Sequence, residues 1–192
     1  ENQYFLGMHE AALGAYTQFL SNYPQSANRD ATRLRIAQLH YRKKAWQEVL
    51  KQTQELTGRN RDDAFFKQVA FLAGDSHYNL EQWDEAVLHL GGFVDQQPQE
   101  PNVDTALLKL ALARLNKGER DAAIELLTEL VTAHKSSRHL PLALAELGRL
   151  QYETDRPGNA RGFLESIVKN HADSAERPKA EYYLGWVSLA EA

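Results

Sequence analysis

The stretch that decides the fold runs from Ala70 to Phe93 and reads AFLAGDSHYNLEQWDEAVLHLGGF. Residues 144–167, LAELGRLQYETDRPGNARGFLESI, follow the same pattern two periods of 37 residues later. In both stretches a tyrosine lies four residues after a glycine. Large apolar residues lie four and seven residues after a later alanine. Apolar spacing of three and four is typical of amphipathic helices. Each stretch therefore predicts two helices, A and B, joined by a tight turn.

The same register extends along the whole chain. One column of small residues comprises Ala37, Gly74, Ala111, Gly148 and Gly185, and one apolar column comprises Phe19, Leu56, Phe93, Leu130 and Ile167. The helical pattern breaks at Gly7, Lys43–Lys44, Glu81–Gln82, Gly118–Glu119 and residues 155–158. Because no insertion shifts the phase, we interpret the chain as a repeat protein.

The small and aromatic columns predict how the helices pack. A small residue at Gly74, Gly148 or Gly185 lets helix A approach helix B closely. Trp46 and Trp83, which share a column at the start of helix B, are expected to pack against the preceding helix A. Three serines recur at one phase ahead of helix A, where they are expected to cap free backbone N–H groups: Ser26, Ser137 and Ser174. Since no hairpin can bury both its faces alone, neighbouring hairpins must stack into a solenoid.

These residues resemble the tetratricopeptide repeat (TPR), whose pattern has a Leu-Gly pair, then Ala-x3-Phe, then a closing proline. The matching positions are Leu147-Gly148, Leu184-Gly185, Ala12-x3-Tyr16, Ala86-x3-Leu90, Pro24 and Pro98. The resemblance implies an all-α fold, a right-handed superhelical solenoid of stacked antiparallel helix pairs. Two features depart from the family: its tryptophan position holds other residues, and the repeat is three residues longer than the usual 34. We expect the extra residues to lengthen the helix ends or the turn between repeats.

A narrower resemblance lies at the junction between repeats. The segments FLSNYPQS at 19–26 and IVKNHADS at 167–174 are similar to the junctions of bacterial cell-envelope TPR proteins such as BamD and CpoB. This resemblance implies a periplasmic or outer-membrane-associated setting, with the cytoplasm as the alternative.

The repeat phase predicts that the whole chain, 1–192, is one TPR-like segment. It comprises a partial repeat 1–29, four repeats at 30–66, 67–103, 104–140 and 141–177, and a partial repeat 178–192. We expect this segment to be truncated from a longer protein at both ends. The last helix is apolar on nearly every side, so we expect Tyr183 and Trp186 to be covered by another chain, as in a homo-oligomer formed through exposed terminal helices, or by a continuation of the chain.

Composition excludes several function classes. The 192 residues include no cysteine, so there is no disulfide, thiolate nucleophile or Cys-ligated metal. No apolar run approaches the roughly 18 residues that span a bilayer. A net charge of −4 argues against nucleic acid as a partner, because phosphates require clustered Lys and Arg.

Catalytic and metal-binding motifs are absent from the sequence. It contains no phosphate-binding glycine loop, no H-E-x-x-H, no G-x-S-x-G and no EF-hand loop. His40 and His77 share a column that fits core histidines, and the junction residues His134, His139 and His171 have no carboxylate at metal-ligand spacing. We therefore expect a non-enzymatic protein without cofactor or metal.

The candidate binding surface is the concave groove that helix A residues line in TPR stacking. Its predicted residues are Gln38, Tyr41, Arg42, Phe71, Asp75, Tyr78, Asn79, Leu108, Leu112, Asn116, Arg149, Tyr152 and Glu153. Mixed aromatic, amide and charged groups on rigid helices suit an extended peptide or a partner helix. The alternative for the three tyrosines is packing between repeats, with their hydroxyls in water.

A local concentration of basic residues follows the first junction. Its members are Arg29, Arg33, Arg35, Arg42, Lys43 and Lys44. Such a run is either a solvated face or a contact for an acidic partner. No helix A carries the Lys-x3-Arg of co-chaperone TPR clamps.

The sequence thus predicts a protein–protein interaction adaptor, in a bacterial envelope assembly, that binds a partner peptide or helix. Two alternatives stay open: an architectural spacer that self-associates through its ends, and a non-catalytic domain of a larger enzyme.

Overall fold

A computed structural model describes residues 2–56, 64–96 and 101–192, with the side chains of residues 2–6, 64 and 96 excepted. The described residues form α-helices and turns without a strand. The helices are α1 (Asn2–Asn22), α2 (Arg29–Arg42), α3 (Trp46–Gln54), α4 (Ala64–Asn79), α5 (Trp83–Gln96), α6 (Val103–Asn116), α7 (Arg120–Ala133), α8 (Leu140–Glu153), α9 (Pro157–Asn170) and α10 (Arg177–Ala190).

The chain forms two compact units, Glu1–Pro98 (unit 1) and Gln99–Ala192 (unit 2). In unit 1, α2 pairs with α3 and α4 with α5, while α1 packs on α2, and α3 packs on α4. In unit 2, α6 pairs with α7 and α8 with α9; α7 packs on α8, and α10 packs on both α8 and α9. Helix B starts at Trp46, Trp83, Arg120 and Pro157, in steps of 37 residues. The predicted all-α stack of helix hairpins is therefore present in each unit.

Each hairpin turn is built around one residue with a left-handed backbone. These residues are Lys44 (φ 57°), Glu81 (φ 59°), Gly118 (φ 80°) and Asp155 (φ 57°), and they too are 37 apart. The following N–H closes the helix end, as when Ala45 N donates to His40 O at 3.0 Å and Lys44 N donates to Tyr41 O at 2.9 Å. This is the Schellman arrangement, in which glycine is the residue with least strain. The predicted breaks at Lys43–Lys44, Glu81–Gln82, Gly118–Glu119 and 155–158 are confirmed.

The predicted break at Gly7 is wrong, because α1 runs without interruption from Asn2 to Asn22. A Cβ built on Gly7 would have nothing within 4 Å, so no close packing fixes this glycine in a turn. A lone helical glycine costs only about 1 kcal/mol relative to alanine, which the flanking helix-forming residues tolerate.

Two of the three predicted close-packing glycines are confirmed. A Cβ built on Gly148 would lie 2.5 Å from Leu164 Cγ, and one on Gly74 would lie 2.9 Å from the backbone N of Leu90. Gly185 differs, since nothing lies within 4 Å of its Cβ position. The predicted apolar column is buried at Leu56, Phe93, Leu130 and Ile167, which are 5% exposed or less, whereas Phe19 is half-buried.

The junctions between hairpins use the predicted serines in turns. Ser137 Oγ accepts from His139 N at 3.0 Å and Ser174 Oγ from Glu176 N at 3.1 Å, as Ser26 Oγ does from Asn28 N. Each hydroxyl therefore binds an N–H two residues on, in the turn before the helix, and the predicted capping is wrong because α2, α8 and α10 have no side-chain bond to their first-turn N–H groups. In unit 2 the junctions 134–139 and 171–176 are twice as long as the three-residue hairpin turns, so the extra length lies between repeats. Pro98, the second expected closing proline, lies outside the described residues.

Candidate partner-binding surface

The exposed stripe of α2 and the neighbouring stripe of α4 form one hydrogen-bonded surface in unit 1. Arg35 Nη1 donates to Gln38 Oε1 at 3.0 Å, and Gln38 Nε2 donates to Gln68 Oε1 on α4 at 2.9 Å. Arg42, two turns after Arg35 on the same side of α2, is exposed. We call Arg35, Gln38, Arg42 and Gln68 the α2–α4 face. It joins two predicted residues, Gln38 and Arg42, to Gln68, which the repeat pattern does not predict.

Next to this surface, the half-buried Tyr41 is bonded to the buried carboxylate of Asp75. Tyr41 Oη donates a short hydrogen bond to Asp75 Oδ2, and Asp75 is only 1% exposed. The Tyr41 ring stands edge-on to Trp46, with centroids 5.4 Å apart, and lies 6.5 Å from the ring of Phe71, which is 8% exposed. Tyr41 thus links its own hairpin to the next one. Phase alone had placed Asp75 and Phe71 on the groove surface, whereas both are buried.

The end of α4 carries two further predicted residues. Asn79 is exposed, and its Nδ2 donates to Asp75 O at 2.6 Å, a bond that does not use its side-chain oxygen. Tyr78 is half-buried, with its ring edge-on to Trp83 at 5.6 Å. The packing predicted for Trp46 and Trp83 against the preceding helix A is therefore confirmed.

The equivalent face in unit 2 is a closed ion-pair network. Arg149 on α8 donates to Glu146 Oε2 at 2.8 Å and to Glu153 Oε1 at 2.7 Å. Lys179 of α10 donates to Glu146 Oε1 at 2.5 Å, and Arg120 of α7 to Glu153 Oε2 at 3.3 Å. We call these five residues the α8–α10 face. Of its members, the repeat pattern predicts Arg149 and Glu153 but not Glu146, Lys179 and Arg120, each of which has a partner on another helix.

Burial and neighbouring charges act in opposite directions on the pKa of Glu146, which is 8% exposed. Burial by itself raises the pKa of a carboxyl group. The hydrogen bonds from Lys179 and then Arg149 outweigh that effect and hold the pKa of Glu146 below its usual value. Glu146 is therefore ionised at neutral pH, and its charge is matched inside the network.

The predicted residues of α6 are divided between core and surface. Leu108 is 4% exposed and belongs to the core, while Leu112 is half-buried. Asn116 is exposed, and its Nδ2 donates to Leu112 O at 2.9 Å, as Asn79 does in unit 1. Asn79 and Asn116 are thus matched exposed amides at the ends of two helices.

Tyr152 and the last helix form an aromatic patch in unit 2. The rings of Tyr152 and Tyr183 lie 6.1 Å apart, and Tyr182 packs edge-on against Tyr183 and Trp186. Tyr183 is half-buried, but Tyr182 is 61%, Trp186 43% and Leu189 67% exposed. The apolar surface predicted for this helix is present.

A polar cluster lies at the start of α6 and α8. Ser137 Oγ donates directly to Asp104 Oδ2 at 2.6 Å, and His139 Nε2 lies 3.0 Å from Thr105 Oγ1. Burial raises the pKa of Asp104, but the bonds from Ser137 and the Thr105 backbone hold it below its usual value. Because Ser137 Oγ donates to the Asp104 carboxylate, this cluster ties the junction before α8 to the start of α6.

Two other kinds of site are missing from the described ranges. There, no three His, Cys, Asp or Glu side chains gather closely enough to hold a metal ion. Among the same residues, no helix combines the length and apolarity needed to cross a bilayer.

Helix hairpins stacked at a fixed period, with exposed polar stripes on their A helices, define a TPR-type repeat protein. Solved structures show the same fold. Two crystal structures of MamA align over 99% and 95% of this chain and 92% and 91% of theirs, with TM-scores of 0.65 and 0.72 and identities of 15% and 16%. The TPR protein TTC0263 from Thermus thermophilus aligns over 95% of this chain and 94% of its own, with TM-score 0.55 and 17% identity. At these identities the likeness establishes the fold.

Residues 7–161 match the family described as the N-terminal domain of the T7SS, ESX-1 secretion system protein EccA1. Because the match covers most of the chain, the chain belongs to this family. Among curated proteins, no sequence matches it significantly. The narrower similarity to BamD and CpoB stays a prediction.

Proposed function

We propose that this chain is a non-catalytic protein-interaction scaffold that binds a partner peptide or helix along the exposed stripes of its A helices. The observation that carries the proposal is the α2–α4 face, where arginine and amide groups are presented on two packed helices. Because the helices are held by buried leucines and by Tyr41–Asp75, little ordering is required on contact, which favours affinity. The exposed amides Asn79 and Asn116 are suited to bond the backbone of an extended partner.

We propose in addition that the scaffold is a domain of a larger protein and serves a bacterial secretion assembly. The family supports both points, since its description names an N-terminal domain and a secretion system protein. The periplasmic or outer-membrane-associated setting is kept as a proposal, with the cytoplasm as its rival. Fractionation of cells expressing the full-length protein distinguishes the two compartments.

Site-specific photo-crosslinking tests the scaffold proposal. A benzoylphenylalanine is placed at Gln38, Asn79 or Asn116 on the A helices, and at the exposed positions Glu129 and Glu165 on B helices as controls. We expect the A-helix positions to capture a common partner in cells of the source organism and the B-helix positions to capture none. Crosslinks from the B helices alone would remove the assignment of the binding surface.

One observation favours the second candidate, a spacer that self-associates. Tyr182, Trp186 and Leu189 on α10 leave a large apolar surface in contact with water, and such patches commonly mark interfaces. We expect sedimentation velocity over a range of concentrations to show a dimer that Trp186→Ala and Tyr182→Ser abolish. A monomer at all concentrations contradicts self-association and leaves the scaffold proposal intact.

A further inference from the structure

We propose that the α2–α4 face binds an acidic segment of the partner, one that carries two carboxylates about 10 Å apart. This inference rests on the proposed scaffold function and specifies the chemistry of its ligand. Three features of unit 1 carry it: unmatched positive charge, a one-way chain of hydrogen-bond donors, and the burial of the Asp75 carboxylate next to the face.

The positive charge is concentrated in a short part of the chain. Residues 29–51 contain seven Lys or Arg and two Asp or Glu, a net charge of +5, whereas the whole chain has −4. Part of this charge is matched, because Arg29 and Arg33 pair with Glu55, and Lys43 pairs with Glu10. Within the ranges that the structure describes, Arg35, Arg42 and Lys44 have no carboxylate at ion-pair distance. All three are exposed, so their charge is available to a partner.

The hydrogen bonds of the face all run in one direction. Arg35 donates to Gln38, and Gln38 in turn donates to Gln68. This arrangement occupies the amide oxygens of Gln38 and Gln68 as acceptors and leaves the Gln68 NH2 and the remaining guanidinium N–H groups as donors. Since each amide oxygen already accepts one bond while these N–H groups stay available, a ligand that supplies acceptors suits this face best, and carboxylates are the strongest acceptors in proteins.

Asp75 lies next to this face but does not neutralise it at the surface. Its carboxylate accepts from Tyr41 Oη and is 1% exposed, so it is shielded from a ligand. Asp75, Leu112 and Arg149 occupy the same position in successive repeats. In unit 2 this position holds Arg149, which is saturated by Glu146 and Glu153. Because the α8–α10 face already contains its own anions, an acidic ligand gains most on the α2–α4 face.

The spacing of the two arginines sets the spacing of the ligand's charges. Arg35 and Arg42 are seven residues apart on one helix, about 10 Å along its axis. An extended peptide in the polyproline II conformation rises about 3.1 Å per residue with three residues per turn, so carboxylates three residues apart lie on one side and match the two guanidinium groups. The inference thus specifies an acidic-x-x-acidic segment in an extended partner.

A displayed library of random dodecapeptides provides the test with residues 1–192 as bait. Three baits are compared: the parent chain, Arg35→Glu/Arg42→Glu, and Arg156→Glu/Lys169→Glu. The last changes the net charge equally at exposed positions of unit 2 and serves as the matched control. Circular dichroism melting establishes that each bait is folded before selection.

We expect peptides selected on the parent chain to be enriched in Asp and Glu, with an acidic-x-x-acidic spacing. In fluorescence anisotropy at low salt, the best of them should bind the Arg35→Glu/Arg42→Glu chain at least about tenfold more weakly. The Arg156→Glu/Lys169→Glu chain should bind within about twofold of the parent, and Arg35→Gln/Arg42→Gln should fall between the two.

Other outcomes of this experiment would overturn either the inference alone or the inference together with peptide binding. Selected peptides without an acidic excess, or acidic peptides that bind both charge-reversed chains equally, overturn the inference and leave the scaffold function in place. Failure of the folded parent chain to select any peptide overturns the inference together with the proposed peptide binding.

Discussion

The α2–α4 face of unit 1 and the α8–α10 face of unit 2 occupy corresponding parts of the repeat but differ in how their charges are satisfied. On the α8–α10 face, Arg149 lies between two glutamates, and Lys179 completes the network. On the α2–α4 face, Arg35 and Arg42 meet amides or water. The repeat therefore fixes where side chains stand, while the residue types decide whether a face stabilises its own unit or stays open to a partner.

The largest expected effect concerns what the two units share, the close approach of helices A and B. Gly148→Ala places a methyl group against the fully buried Leu164, and Gly74→Ala places one against the Leu90 backbone. We expect each change to lower the free energy of unfolding by about 3 kcal/mol through overpacking. Denaturant titration measures it, with Gly185→Ala as the control, which should not destabilise because its Cβ meets open space. Equal losses at all three glycines would contradict the packing argument.

A smaller effect is expected from the hydroxyl next to the open face. Tyr41→Phe removes the hydrogen bond to the buried Asp75 carboxylate, and bonds to charged groups contribute about 2 kcal/mol. Tyr152→Phe is the matched control in unit 2, since its hydroxyl makes no hydrogen bond within the described residues, and it should cost less than about 0.5 kcal/mol. Urea denaturation of both variants sharpens the comparison, and similar losses would show that Tyr41 acts by packing alone.

The closed and open faces should respond differently when one charge is removed. Glu146→Gln weakens charge-assisted bonds from Arg149 and Lys179, and we expect a loss of about 1 kcal/mol. Arg35→Gln on the open face should change stability by less than about 0.3 kcal/mol, because an exposed arginine bonded to an amide contributes little. If Arg35→Gln is the more damaging change, the open face is a structural element of unit 1.

Acid titration tests whether the ion pairs of the α8–α10 face stabilise unit 2. The pKa of Glu146 is held below its usual value of 4.5 in the folded state, so the unfolded chain binds the proton more readily. The stabilisation from Glu146 is present above pH 4.5 and is lost as the pH falls through the folded pKa. We expect the melting temperature of the parent chain to fall more steeply in this window than that of Glu146→Gln. Parallel melting curves for the two chains would show that the network contributes no net stability.

The smallest expected change in stability concerns the hairpin turns, whose backbone is the same in both units. Glu81 in unit 1 and Asp155 in unit 2 hold the left-handed position that Gly118 fills without strain. Glu81→Gly and Asp155→Gly should each raise the unfolding free energy by about 0.5 to 1 kcal/mol, and Gly118→Ala should lower it by about 1 kcal/mol. Thermal melting measures all three. A gain in one unit alone would show that turn strain depends on the surroundings of the hairpin.

Much of the fold could be predicted because local rules repeat. The period located the hairpin turns at Lys44, Glu81 and Gly118, and the small columns located the close approaches at Gly74 and Gly148. The pattern predicted a break at Gly7 because this glycine lies in phase with the later breaks. That prediction is wrong, since no close packing or Schellman turn depends on Gly7.

The candidate site was predictable only in part. The phase placed the candidate residues on the A helices, and Gln38, Arg42, Asn79 and Asn116 among them reach the surface. It also selected Phe71, Asp75 and Leu108, which are buried. It missed Gln68 and Lys179, since each joins the site through a partner 30 or 33 residues away.

The sequence by itself determined the helix hairpin, its period of 37 residues and, at Gly74 and Gly148, where the helices touch. These follow from the apolar spacing and the backbone preferences of short segments. Only the tertiary structure decided that Asp75 is sealed under Tyr41, that Glu146 is neutralised by α8 and α10, and that Arg35 and Arg42 stay open. The reason is physical: exposure and charge pairing depend on the inclination of one helix against the next and on side-chain rotamers, and a one-dimensional period specifies neither.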